Sequence, residues 1–493
     1  MQKRPEPQIW EGNLLEVASQ QGLLVCKNAI FDKQGNVMKR PGLIKQASIN
    51  GQVVPIYGLY YWTAVNKLIS VVSGRVYAIS DMTSSDTNIS GTAFLPQQSV
   101  EFADTGYWLY MCAGSGRLVK WNGQTSQVEF ELDSVAPVNV SSVEAINTRI
   151  VCSEAGKNRL WYTKPADTTN PYNALEFDGY IEVSKIGEPI VDIKRLGAEL
   201  IVLKEKSLSV LYDDGVTPFK SIIGSEHNIG LAARNSSIIV GDALYFLSDE
   251  GRISRFKDRT LQPISERWFQ RELDKLSYID DCIAFRQHNH IIFSFPTEKK
   301  SFALDITNKK FSEFTMLENG QDRPYIGYSG AELPTDGRTK NWIIGGKDGI
   351  RYYSDFSMYD DAGNPFRFMI RTSHLDWNTN RRKKVTRLIV KISTSSYGGV
   401  DPFANVDPNL PDGIRCEAYS YTFDFGPGIT VSSVSGLPSG LTFSQATQTI
   451  SGAVSDFVGD SVVTIVVKDR RGASKSFNTT LTIYDFTLNV GVS

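Results

Sequence analysis

Between residues 55 and 355 one short pattern recurs seven times: an apolar strand, a turn carrying glycine or charge, and a second strand. The instances are LISVVSGRVYAI (68–79), LYMCAGSGRLVKW (109–121), RIVCSEAGKNRLWYT (149–163), LIVLKEKSLSVLY (200–212), ALYFLSDEGRISRF (243–256), HIIFSFPTEKKSFALDI (290–306) and NWIIGGKDGIRYYS (341–354). Tyr77, Val119, Trp161, Val210, Ser254, Ala303 and Tyr352 hold matching places on the second strands, at spacings of 42, 42, 49, 44, 49 and 49 residues. A period of about 40–50 residues with one hairpin per unit is what propeller blades show. Glycines in Ser73-Gly74, Gly114-Ser115-Gly116, Asp249-Glu250-Gly251 and Lys347-Asp348-Gly349 fall where a tight hairpin requires positive φ. In Ala243-Leu244-Tyr245-Phe246-Leu247 neighbouring side chains face opposite sides, and both sides are apolar. A blade pressed between two others needs this; a half-exposed hairpin does not.

Two unrelated sandwiches would also give recurring strands. Seven hairpins at one coarse period favour the propeller, with six or seven blades fitting and seven preferred. The expected fold class is therefore all-β. A segment over 1–54 joins a propeller over 55–360, and a β-hairpin and linker region covers 361–410. A separate Ig-like β-sandwich covers 411–493. A helix is expected over 264–276, capped by Ser265, with Trp268, Phe269, Leu273 and Leu276 as its apolar stripe, lying on the propeller surface. At 493 residues the chain exceeds an ordinary single-core domain, which a repeat architecture accommodates.

Composition narrows the partners. Lys and Arg number 52 against 54 Asp and Glu, so no overall basic field holds the chain on nucleic acid. Five scattered cysteines (Cys26, Cys112, Cys152, Cys282, Cys416) include no C-x-x-C pair and read as buried free thiols in a reducing compartment. The N-terminus lacks the apolar stretch of a secretory signal, and no apolar run approaches the ~20 residues of a spanning helix. The expectation is a soluble protein made in a cytoplasm, without membrane insertion.

Catalytic signatures are missing: no G-x-S-x-G elbow, Walker loop, H-E-x-x-H, dinucleotide fingerprint or sialidase Asp box is spelled. His288 and His290 would share one face of a strand and could begin a metal site, but no third ligand is identifiable. Asp213-Asp214, Asp280-Asp281 and Asp360-Asp361 read as solvated turns or chance calcium sites. Arg381-Arg382-Lys383-Lys384 is the one dense basic run; it reads as a solvated hairpin turn, with contact to DNA phosphate or a partner's acidic patch as the functional alternative. No enzyme activity, cofactor or metal is expected.

Two resemblances add to this. VSGLPSGLTFSQATQTISG (434–452) and GDSVVTIVVKDRRGASKSF (459–477) resemble the Ig-like domains recurrent in bacterial surface and phage structural proteins, whose phrase is LPxGLxxxxxTGxIxG followed by VTVxVxD. The chain departs from that phrase at Gln448, where glycine is usual, and near Gly426-Pro427-Gly428. Leu437, Leu441, Phe443 and Ile450 would fill the core beside Val462, Val463, Ile465 and Val467, on an alternating or doubly buried strand.

The first three quarters resembles the tail hub or nozzle proteins of short-tailed bacteriophages, also called packaged-DNA stabilisation proteins. The resemblance runs through NAIFDKQGNVMKRPGLIKQ (28–46), with Asn28, Asp32, Gly35 and Arg40-Pro41-Gly42, to LSDEGRISRFKDRTLQPISERWFQRELDKL (247–276). It implies a virion tail protein assembled in the host bacterial cytoplasm. Its partners would be itself in a homohexameric ring, the head-to-tail adaptor, tail fibres or a needle, and packaged double-stranded DNA passing through a channel that the ring closes. Two alternatives stay open: a secreted or surface propeller lectin or polysaccharide-active protein with an Ig-like module, and a receptor-binding tail fibre component.

Overall fold

The computed structural model describes residues 23–31, 37–80, 86–167, 171, 175–183, 187–215, 218–318, 321–334, 341–358, 360–372, 409–423, 425, 429–469 and 474–485. The protein is all-β, with one α-helix among the described residues. It divides into two compact units, Met1–Asn380 and Arg381–Ser493.

In the first unit the seven hairpins become the middle of seven sheets, antiparallel except where Leu23–Lys27 meets Phe311–Glu313 and Asp360–Asp361 meets Gly42–Ser48. The first sheet runs Ile56–Trp62, Lys67–Val72, Arg75–Ile79, Thr87–Asn88, and the second Glu101–Asp104, Leu109–Cys112, Val119–Trp121, Glu129–Phe130. The third, fourth and fifth repeat this four-strand meander from Val140–Ile146, Ile190–Leu196 and Ser237–Val240 onwards. The sixth runs from Ile283–Gln287 to Phe311–Glu313 and adds Leu23–Lys27 and Met369–Thr372 at its edge. In the seventh, Gly327–Leu333, Asn341–Gly346 and Ile350–Asp355 receive their fourth strand from far back in the chain, Gly42–Ser48. Tyr77, Val119, Trp161, Val210, Ser254, Ala303 and Tyr352 all lie on third strands.

Alternation decides which sheet each side chain meets. Leu109 and Met111 pack on Ile69 and Val71 of the first sheet, while Tyr110 and Cys112 pack on Val143 and Ile150 of the third. Leu200 and Val202 meet the third sheet, Ile201 and Leu203 the fifth. Tyr245 and Leu247 join Ile291 and Phe293, and Ile292 joins Ile344. Ile343 then packs with Ile56, Leu68 and Tyr77, so the seventh sheet shares a core with the first. The first strands touch in the same succession, and Gly327–Leu333 lies against Ile56–Trp62.

The helix spans Arg267–Leu273, shorter than expected, and is N-capped by Glu266. Ser265 is drawn away, its Oγ accepting from the Ile253 N–H at 2.9 Å. Nor does the helix merely rest on the surface. Phe269 is fully buried between the fifth and sixth sheets and stacks on Phe311 with centroids 3.8 Å apart.

The second unit packs a four-stranded sheet (Gly413–Ile414, Ser474–Tyr484, Gly459–Asp469, Ile429–Ser435) on a three-stranded one (Ala418–Thr422, Thr449–Ala453, Leu441–Ser444). Val463, Ile465 and Val467 point into the core with Val431, Leu441 and Ile450, and Leu437 and Phe443 border it. Val462 does not join them. It is 65% exposed, because Gly459–Asp469 alternates strictly rather than being buried on both faces. Gly440 has φ +95, and a Cβ there would meet the Ala453 carbonyl oxygen at 2.1 Å, so no other residue fits that turn.

Candidate functional site

The first strands of the meanders lie side by side in succession. They line a cavity of about 270 Å³, bordered among others by Tyr57, Glu101, Glu144, Lys194, Ser237, Arg286 and Tyr328. Each of the seven sheets contributes to this wall. Asp192 and Lys194 are two residues apart on one strand, so they share a face, and Lys194 Nζ donates to Asp192 Oδ1 at 2.8 Å. Glu101, on the second sheet, lies 3.5 Å from Lys194 Nζ and 3.2 Å from Arg234 Nη1. Arg234 further donates to the carbonyls of Ser141, at 2.8 Å, and Ser99. Ser142 Oγ contacts both Glu101 Oε2 and Asp192 Oδ1, and Ser237 donates to Asp192 Oδ2. Four consecutive sheets are thus knotted through one polar cluster.

Burial sets the electrostatics of this cluster. It pushes the Glu144 carboxyl up to about 7; Lys194 opposes the rise, and Glu101 and Asp192 add to it. Glu101 is likewise raised, first by burial and then by Asp192. Burial alone would lower Lys194, but Asp192, Glu101 and Glu144 outweigh it and push its pKa up, so the ammonium stays charged.

A second buried knot joins the ends of the unit. Arg40, fully buried, forms a bidentate pair with Asp361 at 2.9 and 2.5 Å. Its Nε donates to Asn28 Oδ1 at 2.9 Å, Nη2 to the Thr315 carbonyl at 2.8 Å, and its guanidinium stacks 3.7 Å over Phe366. Gly42 must be glycine, since a Cβ would sit 2.2 Å from the Asp360 carbonyl oxygen.

Several expectations need correction. Asp361 is not a solvated turn residue but the partner of Arg40, and Asp213 pairs with Arg149 at 3.0 Å with both side chains buried. His288 and His290 do not share a strand face. Gln287 pairs with His290, so His288 and Asn289 form the hairpin turn, with His288 at φ +52. His288 Nε2 lies 3.0 Å from Ser354 Oγ, and His290 lies 3.9 Å from Asp305. Burial pulls both imidazoles down to about 4, His290 also depressing His288 and Asp305 opposing the fall at His290. Among the described residues no group of three or more His, Cys, Asp or Glu is placed to hold a metal. Cys26, Cys112, Cys152 and Cys282 are buried free thiols, but Cys416 is exposed. Arg381, Arg382, Lys383 and Lys384 lie outside the described residues, as do His374, Asp32 and Gly35. No helix among the described residues is long and apolar enough to cross a membrane.

The class that fold and site define is an all-β protein of repeated antiparallel sheets with a C-terminal sandwich. Residues 402–484 match the family model described as "Putative Ig domain", which bears out the Ig-like resemblance of that segment. No curated protein matches the chain. Among solved structures it is similar to the extracellular domain of the "putative one component system" from B. thetaiotaomicron, with 11% identity and a TM-score of 0.47. That alignment covers 93% of this chain and 62% of the other, so the chain spans less than two thirds of its length.

Proposed function

We propose that the first unit is a seven-bladed β-propeller and that the chain is a non-enzymatic virion protein, the tail hub or nozzle of a short-tailed bacteriophage. The observation that carries the propeller is the succession of cores, seven sheets with seven shared interfaces, the last of them between sheets seven and one. Completion of the seventh sheet by Gly42–Ser48 agrees with it, since propellers join their two ends within one blade.

An assembling role is supported by where apolar side chains remain exposed. Among the exposed large apolar side chains, Val53, Phe94, Leu132, Val135, Val138 and Ile223 lie on connections from the last strand of one sheet to the first strand of the next, whereas Tyr107, Tyr180 and Tyr212 lie elsewhere. In a propeller such connections emerge on one face, and apolar groups gathered on a face favour protein contacts. Charged groups around the cavity engage one another, which suits a supporting wall. Asn28, Arg40, Pro41 and Gly42 of the hub-like phrase meet at the buried junction of the unit's ends, giving the phrase a structural reason.

In this reading six copies form a ring beneath the adaptor, hold packaged DNA and carry fibres or a needle. Arg381–Lys384 supply phosphate or partner contacts, and the Ig-like unit is a binding or spacing module. The test is nuclease protection of DNA in particles assembled without this protein. Heads that package and then leak are expected. Heads that stay full but fail to adsorb would move the protein outward, to the fibres.

A further inference from the structure

Ser142 is fully buried in Val140–Ile146, and its hydroxyl oxygen lies 2.7 Å from Glu101 Oε2 and 2.7 Å from Asp192 Oδ1. It also accepts from the Ile193 N–H at 3.1 Å. A serine hydroxyl offers one hydrogen and two lone pairs. Ile193 occupies one lone pair, and the hydrogen serves one carboxylate. The second carboxyl therefore meets a lone pair at hydrogen-bonding distance, and an approach of two oxygens that close needs a proton between them.

Other charged and titratable groups surround this contact. Three acids meet here: Glu101 from the second sheet, Glu144 from the third and Asp192 from the fourth. Two cations face them, Lys194 and Arg234. Arg286, from the sixth sheet, turns its Nε to the His288 carbonyl and stacks on Trp342. Tyr57 and Tyr328 border the cavity, Tyr60 faces Glu144, and the Cys112 thiol faces Glu101.

We propose that Glu101, Ser142 and Asp192 share one proton, which makes this contact a pH-responsive lock between the second, third and fourth sheets. Asp192 already accepts from Lys194 at 2.8 Å and from Ser237, against one longer bond of 3.2 Å from Arg234 to Glu101, so the proton rests on Glu101, which donates to Ser142 while Ser142 donates to Asp192. Burial raises the Glu101 pKa in the direction the lock requires. When the proton leaves, a carboxylate faces a lone pair with no hydrogen between them, and the chain of bonds joining three sheets is cut at its centre. The lock involves only the second, third and fourth sheets, so it is independent of the blade count and of any assembly.

Infrared spectroscopy of the full chain carrying Glu144→Gln reads the lock without interference from the other raised carboxyl. One protonated-carboxyl C=O band should persist at neutral pH, disappear as pH rises, and be lost on adding Glu101→Gln. Absence of that band at neutral pH, or its survival in the doubly substituted chain, would overturn the proposal. Should the double variant not fold, Ser142→Ala in the Glu144→Gln chain gives a second reading. Loss of the hydroxyl must shift the band, and an unmoved band refutes the shared proton.

Discussion

The two units solve the same problem, fixing the register of β-sheets, by opposite means. In the first, buried charge does it: Arg40, Arg149, Asp192, Lys204, Arg351 and Asp361 are all buried, and Arg40 and Asp361 stand 321 residues apart. In the second, buried side chains among the described residues are apolar apart from Thr479. Register there comes from backbone shape, as at Gly440, and from Gln448. Gln448 sits at φ +54 in the turn between Leu441–Ser444 and Thr449–Ala453. Its amide accepts from the Val431 N–H at 2.5 Å and donates to the Val431 carbonyl at 3.2 Å, joining one sheet to the edge of the other. A unit whose ends meet across 300 residues needs directional, long-range contacts; a small sandwich can be steered locally.

The largest effect expected from this contrast is at the Arg40 knot. Asp361→Asn should cost about 3–5 kcal/mol in denaturant unfolding of the first unit, because it leaves a buried guanidinium uncompensated. Replacing both partners with apolar residues should cost less than either single change, and equal losses would break the claim that the knot specifies register rather than supplying stability. In the second unit Ile450→Ala should cost about 2–5 kcal/mol through the cavity it leaves, with the unfolding of the first unit unchanged. A shared shift would show the units to be one cooperative body.

Smaller still is Gln448→Ala, expected at about 1–3 kcal/mol because it orphans the Val431 backbone groups and keeps the left-handed φ. Gln448→Gly should cost less than alanine, since glycine adopts that φ freely. If glycine is worse, the turn is not held in that conformation. The mildest test is pH. The Glu144 carboxyl is raised to about 7 in the folded chain, so stability is full below the ordinary carboxylate range and falls as pH rises towards 7. Glu144→Gln should lessen the loss of thermal stability between pH 5 and 7, leaving the part that belongs to Glu101, while an unchanged profile would place the titration elsewhere.

Legibility in the sequence followed the distance between interacting residues. All seven hairpins were readable, because strand, turn and strand are contiguous and Gly74 or Gly349 marks the turn. The Ig-like phrase was readable for the same reason, and its exception at Gln448 marked a position where the backbone is left-handed. Partners far apart were not readable. Asp361 looks like a turn residue beside Asp360 until Arg40 is brought to it, and Gly42–Ser48 looks like a leading segment until Ile350–Asp355 pairs with it. The cavity cluster was missed because each strand contributes only one or two of its members. A signal did exist: Ile190-Val191-Asp192-Ile193-Lys194 places two charges on one face of a strand otherwise apolar enough to be interior.

The strand Gly42–Ser48 has a consequence for the timing of synthesis. It leaves the ribosome early, yet its partner Ile350–Asp355 follows about 300 residues later, about 15 to 60 seconds at elongation rates of about 5–20 residues per second. Throughout that interval the nascent chain trails an unpaired edge, and five complete sheets accumulate before it can be used. Chaperone dependence should therefore be concentrated in this strand and in Leu23–Lys27, which waits likewise for Phe311–Glu313 and Met369–Thr372, and a rearranged chain beginning near residue 55, with Gly42–Ser48 transplanted behind Ile350–Asp355, should complete its seventh sheet in the order it is made.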